Sequence, residues 1–143
     1  MKIEVYRVLL AAALLPALMA PALGQNETQA VKGYLSGQHV MVTYRQGGPV
    51  YGTYFFLQVH LCPSGRYMTF GQSRKQTVLG NEQVSNWRDQ GQWDVGIYAG
   101  QLGIQYVSAS GQANFVPVRI AQDGSIWAGN GVSVVRQGPA QCR

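Results

Sequence analysis

The sequence predicts an all-β protein: a single antiparallel up-and-down barrel of about eight strands, or alternatively a two-sheet β-sandwich. Three observations predict this class. Apolar and polar residues alternate with period two through most of residues 33–136, glycine-containing turns interrupt the alternation at short intervals, and no ten-residue window after residue 24 has the i, i+3, i+4, i+7 spacing of an amphipathic helix. Strands joined by such short turns must be antiparallel, and closure into a barrel removes the exposed edges of an open sheet.

The first half of the domain contains the clearest strands. A first alternation runs through 40–44, the turn at 46–49 follows, and the strongest strand pattern spans 54–62. The turn Pro63-Ser64-Gly65 then leads into a return strand at 66–70, which predicts a hairpin.

Alternation resumes at Trp93 and continues to Val134. Turns are predicted at 99–101 and 110–111, and Asp123-Gly124 predicts a type I′ hairpin. One apolar face per strand implies a shared core. The residues predicted to fill that core are Phe55, Leu57, Val59, Leu61, Trp93, Val95, Ile97, Leu102, Ile104, Val116, Val118 and Ile120.

Residues 71–91 are the polar exception, and they are predicted to form a loop that caps one end of the barrel. Loops of this length in compact domains are either functional or disordered. A tryptophan in such a loop favours a recognition role, because the ring offers a large contact area. We therefore expect Trp87 to contact a partner, with Arg74 and Arg88 as a polar rim.

Residues 1–24 have the pattern of a secretory signal peptide. Lys2 and Arg7 precede an apolar run from residue 8 to residue 18, and the small residues Ala22 and Gly24 precede the predicted cleavage point. The apolar run is too short for a membrane span. This pattern predicts a periplasmic or secreted protein, with a flexible segment at 25–32 and one domain at 33–143.

Cys62 and Cys142 are the only cysteines, and in an oxidising compartment they predict a disulfide. We expect the bridge to lay the C-terminal tail along the mixed face of residues 54–62. The alternative is a soft-metal site, because His60 projects from the same strand face as Cys62. Oxidation of Cys62 removes that ligand set, so no metal is predicted.

Charge and motifs disfavour catalysis and specific nucleic-acid binding. Charged residues are 12% of the chain, and the formal net charge of +5 is spread without any block of like charge. We expect only a mild attraction to anionic envelope polymers. No Gly-x-Ser-x-Gly motif or phosphate loop occurs. Asp94 would need Glu82 or Asp89 to form a catalytic carboxylate pair, and exposed carboxylates are the ordinary case, so neither an enzyme nor a cofactor is predicted.

Tyr54 and Phe56 form a possible contact surface. They fall on the strand face opposite the predicted core, where two neighbouring aromatic side chains call for a partner. The tethered tail is one candidate. The sequence thus predicts an exported, non-enzymatic binding protein for an envelope or secreted protein or a small apolar ligand. A polysaccharide-binding accessory protein of the cell envelope is the alternative, and an enzyme of unknown class comes third.

Several short motifs together resemble small exported bacterial proteins of lipocalin-like (calycin) type. They are Leu61-Cys62-Pro63-Ser64-Gly65-Arg66-Tyr67, Gly91-Gln92-Trp93-Asp94-Val95, Leu102-Gly103-Ile104-Gln105-Tyr106 and the Asp123-Gly124 turn. True lipocalins differ in placing Gly-x-Trp on the first strand, whereas here it lies mid-chain. The resemblance implies the barrel fold and favours a binding role, and it transfers no functional residue.

Overall fold

The computed structural model describes residues 23–48 and 50–143. One helix precedes nine strands in the described part of the chain. The elements are α1 (Leu23–Leu35), β1 (Gln38–Gln46), β2 (Thr53–Leu61), β3 (Arg66–Gln76), β4 (Glu82–Tyr98), β5 (Gln101–Ser108), β6 (Ala113–Pro117), β7 (Arg119–Ile120), β8 (Ile126–Trp127) and β9 (Ser133–Pro139).

Seven strands form one antiparallel sheet in the order β6-β5-β4-β3-β2-β1-β9, and β7 and β8 form a small hairpin beside it. The predicted antiparallel β architecture is therefore confirmed. Strands β6 and β9 lie at the two ends of this order, and no pairing joins them within the described residues. A closed barrel is thus not part of the observed topology.

The predicted loop at 71–91 is wrong. Strands β3 and β4 pair continuously from Arg66 with Gln92 to Gln76 with Glu82, and only residues 77–81 turn the chain. The far end of this hairpin has polar residues on both faces. Because neither face is fully buried there, the apolar alternation that identifies a strand is absent.

Residues 25–32, predicted to be flexible, belong to helix α1. Val31, Tyr34 and Leu35 pack against the core, and Leu35 is only 1% exposed. These residues cover the i, i+3 and i+4 positions, but the helix ends before an i+7 residue. The apolar stripe is therefore too short to stand out in the sequence.

The core lies between α1 and the inner face of the sheet. Its buried members are Leu35, Leu61, Tyr67, Trp93, Val95 and Val118. Of these, Leu35 and Tyr67 were not predicted from the sequence. Seven of the predicted core residues are half-buried, namely Phe55, Leu57, Val59, Leu102, Ile104, Val116 and Ile120. Ile97 is an error of prediction, since it is 51% exposed beside the β4–β5 turn, at the end of its strand.

The type I′ geometry occurs at a different turn from the one predicted. The hairpin at Asp123-Gly124 is confirmed, but only Gly124 has a positive φ, so its turn is not type I′. In the two-residue turn between β4 and β5, both Ala99 and Gly100 have positive φ, at 51° and 76°. Type I′ turns need that combination.

The predicted disulfide between Cys62 and Cys142 is present, with 5.7 Å between the two Cα atoms. The tail meets β2 at its end, where the N–H of Gln141 donates to Nδ1 of His60, and the N–H of Ala140 donates to the carbonyl of Gly37. It does not cover the rest of the mixed face of residues 54–62 as predicted, because Tyr54 and Phe56 stay 47% and 37% exposed. The predicted leader falls on residues 1–24, most of which lie outside the described residues. Across the described ranges, no helix has the length and apolar character needed to cross a membrane.

Candidate functional site

The candidate site is the face of β1–β4 opposite the core, which we call the outer face. Strand register places its side chains on a grid of four strands by four rows. The rows are Arg45, Tyr54, Arg74, Val84; then Thr43, Phe56, Gln72, Asn86; then Met41, Gln58, Phe70, Arg88; and finally His39, His60, Met68, Gln90.

The composition of the outer face differs from that of an ordinary protein surface. The grid contains three arginines, three Tyr or Phe rings and two methionines, and it contains no Asp, Glu, Lys, Ser or Ala. Centres of protein–protein interfaces are enriched in the first set of residue types and depleted in the second. The outer face therefore has the composition of an interface core.

Each exposed ring of the outer face lies beside an arginine. The carbon at the centre of the guanidinium group lies 5.1 Å from the Tyr54 ring centroid for Arg45 and 5.6 Å from that of Phe56 for Arg74. Arg88 lies 5.1 Å from the centroid of Phe70. The three rings are 47%, 37% and 40% exposed in the same order. Such cation–π pairs hold ring and guanidinium together while leaving both accessible.

No carboxylate neutralises these arginines within the described residues. Arg74 donates from Nε to Gln72 at 3.0 Å, and Gln72 donates in turn to Asn86 at 3.1 Å. Arg45 donates to the carbonyl oxygen of Gly48. The ion pair found in the described part of the chain joins other residues, Lys32 and Asp94. The outer face thus presents three positive charges without a partner of opposite sign.

Two histidines close one end of the outer face. The rings of His39 and His60 stack with 4.1 Å between centroids, and Phe70 meets His60 edge-on. His60 is buried, and this burial lowers its pKa, with a further contribution from His39. These rings connect the aromatic surface to the disulfide-bound tail.

Four of the five predicted contact residues meet on the outer face, namely Tyr54, Phe56, Arg74 and Arg88. Trp87 does not join them. It lies on the inner face, where it covers Gly71 and meets Phe55 edge-on with 6.2 Å between ring centroids.

Sequence reasoning missed Arg45 and Phe70. The sequence signal that could have placed them on the outer face is their alternation with the inward-facing residues Tyr44 and Thr69. Only the strand register shows that they neighbour Tyr54 and Arg88, respectively.

The inner face carries a separate polar pair. Tyr67 is buried and donates its hydroxyl to Asp89 at 2.7 Å. Burial is the larger cause and this hydrogen bond the next, and together they raise the pKa of Tyr67, so the phenol stays protonated. Over the described ranges, no group of three or more potential metal ligands is assembled. Comparison with protein-family models, curated proteins and solved structures finds no match to the chain.

Proposed function

We propose that this chain is a non-enzymatic binding protein that docks the acidic surface of a partner protein on its outer face. The observation that carries the proposal is the set of three exposed rings, each held beside an arginine that lacks a carboxylate partner. Rings and arginines are the side chains that most often dominate binding energy at interfaces.

The size of the outer face suits a protein partner. Four strands at the usual spacing and four alternate residues along each strand span roughly 14 Å by 20 Å. That area fits the centre of an interface that buries about 800 Å² on each partner. The rings are also prearranged by their arginines, which lowers the entropy lost on binding.

The charge of the outer face specifies an acidic partner. Carboxylates facing Arg45, Arg74 and Arg88 would form charge-assisted hydrogen bonds that nothing in the described part of the chain supplies. Opposite charges also speed association, and salt weakens that effect. Binding should therefore weaken as ionic strength rises.

A small apolar ligand inside a barrel has less support. The inner face is occupied by side chains of the core, including Leu35, Tyr67 and Trp93. A protein partner in an exported setting agrees with the disulfide, because such bonds persist in oxidising compartments.

The test is affinity capture from an extract of the envelope and secreted proteins. Wild-type protein is compared with an Arg74→Glu/Arg88→Glu variant and with Phe70→Ala. Tyr51→Ala is the matched control, because Tyr51 is 56% exposed and lies outside the outer face. The proposal is supported if wild type and Tyr51→Ala capture an acidic protein that both outer-face variants fail to capture. High salt should release that protein from wild type. Capture that ignores the outer-face substitutions contradicts the proposal.

A further inference from the structure

A second candidate site lies on the other half of the sheet. It is an open groove of about 920 Å³ between β4, β5 and β6, with Lys32 of α1 and Arg66 at its wall. The side chains that define its chemistry are Gln92, Asp94, Tyr98, Gln105 and Phe115. This groove shares no residue with the outer face, so it requires its own explanation.

An aromatic platform forms one part of the groove. The rings of Tyr98 and Phe115 lie 5.5 Å apart between centroids, and Tyr98 is 64% exposed. Strand β6 lies close to Gly103: a Cβ atom at that glycine would collide with the carbonyl oxygen of Val116 and would come within 2.6 Å of the Phe115 ring. The missing side chain therefore lets Phe115 lie close against the sheet.

The missing side chain of Gly96 likewise leaves room for the side chain of Gln105. It pairs with Gly103, and a Cβ atom there would come within 2.9 Å of the amide nitrogen of Gln105. The Gln105 amide and the Phe115 ring consequently lie side by side, against the two glycines Gly96 and Gly103. This arrangement is flat and open, unlike a ligand cavity that encloses its occupant.

Polar groups that lack partners line the rest of the groove. The side-chain amides of Gln92 and Gln105 make no hydrogen bond within the described residues. Lys32 and Asp94 form an ion pair at 2.8 Å, which lowers the pKa of Asp94 and keeps its carboxylate charged. The groove thus offers several hydrogen-bond donors and acceptors and little net charge.

We propose that this groove binds a polysaccharide chain. A sugar ring has an apolar C–H face that stacks on aromatic rings and a rim of hydroxyls that bond to amides and carboxylates. An apolar ligand would instead leave the amides unpaired on desolvation, which disfavours it. The proposal is independent of the outer face and of its protein partner.

The experiment is depletion of the protein from solution by insoluble chitin, microcrystalline cellulose and peptidoglycan sacculi. Wild type should bind at least one of the three. Tyr98→Ala should bind that polymer roughly tenfold more weakly, as expected for loss of a stacking contact. Gln105→Ala should weaken binding as well. Because Tyr98 is exposed, its removal leaves the core intact, and thermal melting verifies this.

Two controls separate this site from the others. Tyr51→Ala removes an equally accessible ring from the β1–β2 connection, and Phe70→Ala removes a ring from the outer face. Both should bind the polysaccharide as wild type does, also at high salt. Absence of binding to all three polymers overturns the proposal, and so does Tyr98→Ala binding equal to wild type. Loss of binding in Phe70→Ala alone would place the polymer on the outer face and refute the groove.

Discussion

His60 is the residue whose protonation the fold constrains most visibly. Its Nδ1 accepts a hydrogen bond of 3.1 Å from the backbone N–H of Gln141, and this bond requires Nδ1 to carry no proton. Burial, and secondarily the neighbouring His39, lowers the pKa of His60. The folded protein therefore holds this ring neutral where an unfolded chain would begin to take up a proton.

Stability should consequently fall in mild acid. The unfolded histidine has a pKa of about 6.5. Above that pH, His60 is neutral in both states and its contribution to stability is fully present. Below it, the unfolded state binds more protons than the folded state, so the free energy of unfolding decreases. Thermal melts at about pH 7.5 and about pH 5 should show the loss. In His60→Asn, whose amide oxygen can accept the Gln141 bond, the pH difference should shrink. An equal difference in both proteins would refute this role.

Trp87 should contribute to stability and not to binding. It fills the space above Gly71 and contacts Phe55 on the inner face. Because the ring is half-buried, Trp87→Ala should lower the free energy of unfolding by about 1 to 3 kcal/mol. Urea denaturation measures this loss. A comparison is Gly71→Ala, whose new methyl group would collide with the indole and should also destabilise. Capture of the partner protein by folded Trp87→Ala should equal that of wild type.

At the scale of elements, the turn between β4 and β5 contains a correctable strain. Ala99 is the described residue other than glycine with a positive φ. That conformation costs alanine roughly 1 to 2 kcal/mol, and asparagine tolerates it better. Ala99→Asn creates the Asn-Gly pair that type I′ turns prefer, so stability should rise by about 1 kcal/mol. Chemical denaturation tests this, and unchanged or reduced stability would contradict it.

Helix α1 should be anchored by one side chain. Leu35 is 1% exposed and belongs to the buried core, so Leu35→Ala should cost about 2 to 5 kcal/mol. Lys32→Ala on the same helix is the control. It breaks only the exposed pair with Asp94, and such pairs contribute about 1 kcal/mol or less. Similar losses in the two variants would mean that the helix does not depend on its core contact.

Elements with one buried face were predictable from the sequence, and elements without that contrast were not. Strand β2 alternates along most of its length, and both its inward-facing residues and the following turn at residues 63–65 were recognised. The tip of the β3–β4 hairpin has no strongly buried side, so its polar residues resembled a loop. Helix α1 lacks a full apolar repeat.

The residues of the candidate site were likewise predictable only where one strand shows a clear alternation. Tyr54 and Phe56 were identifiable because they alternate with the apolar residues of one strand. The juxtaposition of Phe70 with Arg88 depends on pairing between strands, which single-strand periodicity does not specify.

At the scale of the whole molecule, the C-terminal part of the chain returns to the first strands and forms one end of the sheet order. Strand β9 pairs with β1, and Cys142 follows β9 by three residues to reach the end of β2. The disulfide therefore ties β9 to the consecutive strands β1 and β2, from which it is distant in sequence. It also positions Gln141 over His60 at the edge of the outer face.

Removing the bridge should destabilise the whole domain. The crosslink joins residues 80 positions apart, and the chain-entropy model assigns such a loop roughly 4 to 5 kcal/mol. The Cys62→Ala/Cys142→Ala variant, if its fold is retained, should unfold at lower urea concentration, and its denaturant slope should rise because the unfolded chain without the crosslink exposes more surface. Hydrogen exchange should accelerate first in β9 and the adjoining edge of β1, because their pairing loses its covalent anchor. If stability falls while protection of β9 is unchanged, the bridge acts only on the unfolded chain and β9 is held by β1 alone. Stability equal to wild type would show that the sheet and core hold the fold without the crosslink.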